Sequence, residues 1–153
     1  MKLVELFPAE RVFVDVDVAN RKELLGFLAQ RTAHLGLVDR QLCLQALIDR
    51  EELGSTGLGN GIAIPHARIE GLDRAVGMLV TLARPIDFEA VDQEPVDIAI
   101  MLLLPEQSGS DQMKVLSGVA KMARQEPVMN ALRQAGTAED VVEILRDAED
   151  GAY

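Results

Sequence analysis

The segment from Val96 to Leu104 constrains the fold more than any other part of the chain. It reads Val-Asp-Ile-Ala-Ile-Met-Leu-Leu-Leu, so Asp97 is its only polar residue. A strand this apolar has no face suited to water, and such strands lie inside a sheet whose two faces are both covered. Further strands are predicted at Val12–Val18, Ile62–His66 and Val76–Leu82. We therefore expect an α/β fold, with a mixed sheet flanked by helices on both faces.

Capping residues mark the helices that lie between and after these strands. Asn20 is followed three residues later by Glu23, which is the spacing of a capping box. Asp39 and Thr137 each precede another segment with apolar residues at helical spacing. The predicted helices lie between Asn20 and Gly36, between Asp39 and Gly54, from Ser110 to Ala123, from Val128 to Ala135 and after Thr137.

The net charge limits the kinds of molecule that the chain is expected to bind. The chain of 153 residues has 15 Lys and Arg against 25 Asp and Glu, which gives a formal net charge of −10. An acidic protein repels nucleic acid and anionic lipid, so neither is an expected partner. No apolar run approaches the roughly 20 residues of a membrane span, and the first residues lack the apolar core of a signal peptide.

The single cysteine, Cys43, cannot form an intrachain disulfide. We interpret it as a small buried apolar residue on the second predicted helix. A chain with an unpaired cysteine and no signal peptide is expected in the cytoplasm. Its length predicts a single domain over residues 1–153.

Glycines are dense between Gly54 and Gly61, where four occur in eight residues. The segment is not a nucleotide-binding loop, because the dinucleotide fingerprint leads from a strand into a helix and a P-loop ends in Gly-Lys-Ser/Thr. Here the glycines follow a helix and lead into a strand. Two interpretations stay open. The glycines either form a long turn that needs positive φ angles, or they leave a surface without side chains on which a partner or an anion can reach backbone amides.

The two histidines of the chain, His34 and His66, differ in their surroundings. His34 lies in the last turn of the first predicted helix, where a cation suits the helix dipole, and we interpret it as structural. His66 follows a predicted short strand and Pro65, beside the glycine-rich loop, with Arg68 two residues on. This placement favours a nucleophile or a base, with an ordinary turn histidine as the alternative. Neither histidine has a second ligand at metal-binding spacing, so no metal site is predicted.

The segment from Arg50 to His66 reads Arg-Glu-Glu-Leu-Gly-Ser-Thr-Gly-Leu-Gly-Asn-Gly-Ile-Ala-Ile-Pro-His. It closely resembles the active-site segment of the IIA proteins of the bacterial phosphotransferase system. More narrowly, it resembles the fructose/mannitol-type branch and its nitrogen-regulatory IIA member. Weaker matches at Pro85–Phe88, Pro95–Asp97 and Leu102–Pro105 extend the resemblance over almost the whole chain.

The resemblance implies a mixed sheet of roughly five strands. It also implies that His66 accepts a phosphoryl group from a phosphohistidine on a small carrier protein of the HPr type, without a cofactor. Arg50 is implied to stand near the active histidine and to help hold the phosphate, and Ser55 and Thr56 are candidate donors in the same loop. The alternatives are a solvated arginine at a helix end, and residues that end the helix and form the turn.

The residue types suit phosphoryl transfer between two imidazoles. Such a transfer passes through a loose, in-line transition state, so the protein mainly positions groups and neutralises oxygens. The attacking imidazole must be neutral, which a pKa of about 6.5 allows at neutral pH. We expect a backbone carbonyl to hold the other ring nitrogen.

The chain departs from the family's pattern at Gln112. Members usually carry a second histidine near the active one, at the start of the helix that follows the long apolar strand, and Gln112 occupies the matching place. A glutamine donates a neutral hydrogen bond but cannot carry a charge. We therefore expect that the protein accepts phosphate with less efficient transfer.

Three functions are compatible with these residues. We favour a signal carried by the phosphorylation state of His66, because phosphorylation adds about two negative charges to the surrounding surface and so changes its affinity for a downstream regulatory protein. The first alternative is a sugar-transport carrier that passes phosphate to a separate IIB protein. The second is a binding module that is not phosphorylated.

Overall fold

The structure is a computed structural model that describes residues 2–107 and 109–152. Within these residues it has six β-strands and five α-helices, preceded by two 3₁₀ turns. In chain order the elements are β1 (Val12–Val16), α1 (Arg21–His34), α2 (Arg40–Glu52), β2 (Gly57–Gly59), β3 (Ile62–Ala63), β4 (His66–Ile69), β5 (Val76–Ile86), β6 (Val96–Pro105), α3 (Ser110–Ala123), α4 (Glu126–Gln134) and α5 (Ala138–Glu149).

The apolar strand β6 lies inside the sheet, as its composition predicts. Strand β5 pairs antiparallel with one edge of β6, and β3 and β4 pair parallel with its other edge. Strand β1 lies parallel outside β5, and β2 lies antiparallel outside β3. The predicted mixed sheet is confirmed, with six strands among the described residues because β3 and β4 share one edge of β6.

Helices cover both faces of this sheet, which confirms the predicted α/β arrangement. On one face, α1 and α2 pack against Ala99 and Met101 of β6. On the other face, α3, α4 and α5 pack against Ile98 and Ile100. Successive side chains of a strand point to opposite faces, so an unbroken apolar run supplies both cores. Among the described residues, no helix is both long and apolar enough to cross a membrane.

The predicted helix caps are present. The side chain of Asn20 accepts a hydrogen bond from the Glu23 amide at 2.9 Å, and Asp39 accepts one from Leu42 at 3.0 Å. Thr137 does the same for the amide of Asp140 at 3.1 Å. Each bond satisfies an amide that has no partner within its own helix.

The predicted strand from Ile62 to His66 is wrong in its extent. Strand β3 ends at Ala63, before the proline that was expected to close it, and His66 begins a new strand, β4. Pro65 lies in the gap because it has no N–H to donate to a ladder. Its carbonyl still accepts a hydrogen bond from the Leu102 amide at 2.9 Å, which keeps both short strands aligned along β6.

Two other boundaries differ from the prediction. Strand β1 ends at Val16, two residues early, and its register against β5 shifts around Asp15, which has a positive φ of 53°. Helix α4 begins at Glu126, ahead of the predicted start at Val128, because Pro127 fits the first turn of a helix, where its missing N–H costs nothing.

Candidate functional site

His66 stands at the interruption between β3 and β4, where its ring meets the backbone. Its Nδ1 lies 2.7 Å from the carbonyl oxygen of Ile64, two residues earlier. A carbonyl oxygen only accepts, so Nδ1 carries the proton of the neutral ring and donates it. The lone pair of the neutral imidazole is then on Nε2. The ring is thus held in the tautomer that leaves Nε2 as a nucleophile.

The His66 ring lines a cleft of about 470 Å³ between α2, β4 and α3. Arg50 enters this cleft from the end of α2, and Gln112 enters it from the first turn of α3. Arg68 lies two residues after His66 on β4, so both side chains leave the strand on the same side. The structure therefore brings two guanidinium groups, one amide and the imidazole to a single cleft.

The surroundings of His66 disfavour its protonated form. Burial of the half-exposed ring is the main cause and lowers its pKa below the ordinary value of 6.5, and the positive charge of Arg50 lowers it further. The hydrogen bond to Ile64 and the negative charge of Glu51 act in the opposite direction. The net shift is downward, so the ring is neutral at neutral pH.

One donor of the Arg50 guanidinium is hydrogen-bonded to the backbone. Its Nη1 donates to the carbonyl oxygen of Gly54 at 2.9 Å, just beyond the end of α2. This bond fixes the side chain beside the cleft and leaves the other donors of the guanidinium for a ligand.

Ser55 and Thr56 are not brought to the cleft in the way that the sequence suggested. The Ser55 hydroxyl donates to the carbonyl oxygen of Phe88 at 2.6 Å and accepts from the Gly57 amide at 3.0 Å. The Thr56 hydroxyl donates to the carboxylate of Glu51, and Thr56 is buried. Both hydroxyls hold the loop together, which matches the alternative interpretation of these residues as turn formers.

Gln112 lies in the same cleft as His66, and its side chain is only 3% exposed. Its amide nitrogen donates to the carbonyl oxygen of Pro105 at the end of β6. The position that departs from the family's pattern is therefore at the site, although sequence separation alone gave no distance between it and His66.

The glycines of the loop serve packing and backbone conformation. A Cβ atom on Gly57 would lie 2.8 Å from the Cβ of Ala90, closer than real contacts allow. A Cβ on Gly61, which has a φ of +85°, would lie 2.7 Å from Nη2 of Arg133. These contacts favour the interpretation of the segment as a structural turn over a surface that exposes amides to a ligand.

The other two singled-out residues lie outside the cleft lining. His34 is exposed at the end of α1, and Cys43 is fully buried on α2, as predicted. Burial raises the pKa of the Cys43 thiol to about 11. A buried thiol with a raised pKa is unreactive at neutral pH.

The expected backbone carbonyl at the second ring nitrogen is confirmed as that of Ile64, although nothing in the sequence indicated which residue would supply it. Glu51 was not predicted to belong to the site. It is a carboxylate that is 6% exposed and lies next to Arg50 in the sequence. A buried acidic residue cannot be distinguished from an exposed one in a run of Arg-Glu-Glu, because helix faces become distinguishable only once the packing partner is known.

Comparisons with known proteins show the family of the chain. The family described as "Phosphoenolpyruvate-dependent sugar phosphotransferase system, EIIA 2" matches residues 5–148. The nitrogen regulatory protein of Pseudomonas aeruginosa is 36% identical over 152 residues, which cover 99% of each chain. That of Bradyrhizobium diazoefficiens is 34% identical over 145 residues, which cover 95% of each.

Solved structures show the same fold. The crystal structure of nitrogen regulatory protein IIA-Ntr from Neisseria meningitidis superposes with a TM-score of 0.88 at 32% identity, over 94% of this chain and 98% of that one. The mannitol IIA of Escherichia coli superposes with a TM-score of 0.77 at 21% identity, over 90% and 97%. The chain therefore belongs to the EIIA 2 family of the phosphoenolpyruvate-dependent sugar phosphotransferase system, and its relatives within that family include nitrogen regulatory proteins.

Proposed function

We propose that His66 accepts a phosphoryl group on Nε2 from a phosphohistidine of an HPr-type carrier protein, and that its phosphorylation state is a regulatory signal. The observation that carries this proposal is the 2.7 Å hydrogen bond between Nδ1 of His66 and the Ile64 carbonyl. It supports Nε2 as the nucleophile because the other ring nitrogen is occupied.

The transfer moves one phosphoryl group and no proton. The Nε2 lone pair of His66 forms a bond to phosphorus while the phosphorus–nitrogen bond of the donor breaks in line. The electron pair of the broken bond returns to the donor's imidazole ring. Nδ1 of His66 keeps its proton and donates to a carbonyl that accepts more strongly as the ring gains positive character.

Two cations in the cleft support stabilisation of the transferring group. Arg50 keeps donors free after its bond to Gly54, and Arg68 lines the same cleft. A planar guanidinium matches the geometry of phosphate oxygens. Because catalysis of this kind is mostly positioning and neutralisation, a cleft with a held imidazole and two guanidiniums supports the proposed transfer.

A regulatory role is supported by the surface around the cleft and by the names of the relatives. Leu53 and Met113 line the cleft and are 84% and 56% exposed. Phosphorylation of His66 adds about two negative charges to the cleft that these exposed apolar side chains help to line, which changes the affinity of this surface for a protein partner. Relatives at 34–36% identity are called nitrogen regulatory proteins. A cytoplasmic location is part of this proposal, and the free thiol of Cys43 supports it.

The test is incubation with phosphoenolpyruvate, the first enzyme of the system and its HPr-type carrier. Mass spectrometry should find one acid-labile phosphate on the parent protein and on His34→Ala, and none on His66→Ala. Phosphate on His34, or on neither histidine, would contradict the proposal. Rapid transfer of the phosphate from His66 to a sugar-specific IIB protein would instead favour a transport carrier over a signal.

A further inference from the structure

Glu51 is a buried carboxylate to which the proposed transfer assigns no role. It lies in the last turn of α2, directly after Arg50, and is 6% exposed. Burial of a carboxylate is unfavourable unless hydrogen bonds and opposite charges compensate for it. The contacts of Glu51 therefore indicate the structural role of this buried carboxylate.

The carboxylate of Glu51 is bound from two sides. Thr56 donates its backbone amide to Oε1 at 3.1 Å and its hydroxyl to Oε2. The guanidinium of Arg21 lies 3.8 Å from Oε1 and also pairs with Glu89 at 2.8 Å. Glu51 thus holds Thr56 by two hydrogen bonds while Arg21 balances its charge.

A continuous set of hydrogen bonds leads from Glu51 to the imidazole. The carbonyl oxygen of Thr56 accepts from the amide of Ile64 at 3.0 Å. The carbonyl oxygen of the same Ile64 accepts from Nδ1 of His66 at 2.7 Å. We call this set the Glu51 relay: Glu51, Thr56, Ile64 and His66. The last of these hydrogen bonds spans Pro65, at the gap between β3 and β4.

Arg50 and Glu51 each bind the turn that follows α2, at different residues. Arg50 binds the carbonyl of Gly54, and Glu51 binds the amide and hydroxyl of Thr56. Gly54 lies between these two contacts with a φ of +143°, and it has no side chain to restrict the backbone conformation there. The adjacent cation and anion therefore fix the path by which the loop reaches β3.

We propose that Glu51 is a positioning residue for His66: by holding Thr56, and through it Ile64, it keeps Nδ1 protonated and Nε2 directed into the cleft. The expected effect of Glu51 on the phosphorylation rate rests on the proposed function. The effect of Glu51 on the orientation of the His66 ring does not. The ring orientation exists in the unphosphorylated protein and can be measured there.

The experiment compares Glu51→Gln, Thr56→Val and a matched control, Glu52→Gln. Glu51→Gln removes the charge at nearly constant shape, and Thr56→Val removes only the hydroxyl link. Glu52 is the exposed neighbour of Glu51, so Glu52→Gln removes the same charge at the same helix end outside the relay. Nitrogen NMR of the labelled histidine rings, at a pH where His66 is neutral, reports its tautomer, and His34 serves as the internal reference.

We expect the parent and Glu52→Gln to show one tautomer, with distinct shifts for protonated Nδ1 and free Nε2. In Glu51→Gln the two His66 shifts should move towards each other as the tautomers mix, and Thr56→Val should show a smaller change in the same direction. Phosphorylation by the carrier should slow by on the order of tenfold in Glu51→Gln, because misplacement of a reacting group is costly.

An unchanged His66 tautomer in folded Glu51→Gln would overturn the inference. Should Glu51→Gln fail to fold, the same result in Thr56→Val decides the question. If the tautomers mix but even the parent accepts no phosphate, the positioning role stands and the proposed function fails. If the parent is phosphorylated and all the variants match it in tautomer and rate, the proposed function stands and the inference fails.

Discussion

The imidazole Nδ1 of His66 lies 2.7 Å from the carbonyl oxygen of Ile64, across Pro65 in the two-residue gap between β3 and β4. Pro65 interrupts the strand, and the carbonyl oxygen of Ile64 accepts a hydrogen bond from the protonated Nδ1 of His66. The nucleophile and its orienting acceptor are therefore supplied by three consecutive residues, Ile64, Pro65 and His66.

The pH dependence of phosphorylation should follow the lowered pKa of His66. Protonation places a proton on Nε2 and removes the nucleophile, so the rate falls as the pH drops through this pKa and is constant above it. Because burial lowers the pKa below its ordinary value of 6.5, the midpoint should lie below that value. Histidine NMR titration and single-turnover rates should give the same midpoint, and a midpoint above 6.5 would contradict the assignment.

Arg50→Ala should slow phosphorylation at least tenfold, which is about 1.4 kcal/mol of barrier. The guanidinium that neutralises phosphate oxygens is lost. The same change removes the bond to the Gly54 carbonyl, so the free energy of unfolding should fall by about 0.5–1 kcal/mol. Rapid-quench rates and chemical denaturation measure the two effects. Arg40→Ala, at the other end of α2, is the control and should leave the rate unchanged.

Gln112→His should speed phosphorylation severalfold and leave the phosphate on His66. A charged donor makes hydrogen bonds roughly twice as strong as a neutral one, a difference of about 1 kcal/mol at the phosphate. Single-turnover rates with the phosphorylated carrier provide the measurement.

Gln112→Ala should slow the transfer because the amide donor in the cleft is gone. Loss of the hydrogen bond to the Pro105 carbonyl should also lower the free energy of unfolding by about 1 kcal/mol. Rates equal to the parent in both Gln112 variants would place this side chain outside the reach of the phosphate.

The same substitution at two glycines should have opposite effects on stability. Gly57→Ala places a Cβ 2.8 Å from that of Ala90 and should destabilise the fold by about 1–3 kcal/mol. Gly26 lies in α1 with nothing within 4 Å of the added Cβ, so Gly26→Ala should stabilise the fold by about 0.5–1 kcal/mol. Urea denaturation of both variants measures the difference, and equal shifts would contradict the packing role of Gly57.

Much of the architecture was predictable because its signals are local. The apolar run at Val96–Leu104 can be accommodated only between two layers, and the structure encloses it on both faces. The caps at Asn20, Asp39 and Thr137 depend on atoms within three residues of each other, and all three form. The segment from Arg50 to His66 was likewise recognisable from sequence alone, since it is contiguous.

The assembly of the site depended on tertiary structure. Nothing local shows that the carbonyl of Ile64 faces the ring of His66, or that the hydroxyls of Ser55 and Thr56 point to Phe88 and Glu51. These contacts require β3 and β4 to lie along β6 and α2 to pack beside them. Sequence determined which residue types were available. The contact of Ser55 with Phe88 joins segments 33 residues apart. Even the short-range contacts of Ile64 with His66 and of Glu51 with Thr56 depend on the backbone path that the non-local pairing of β3 and β4 with β6 sets.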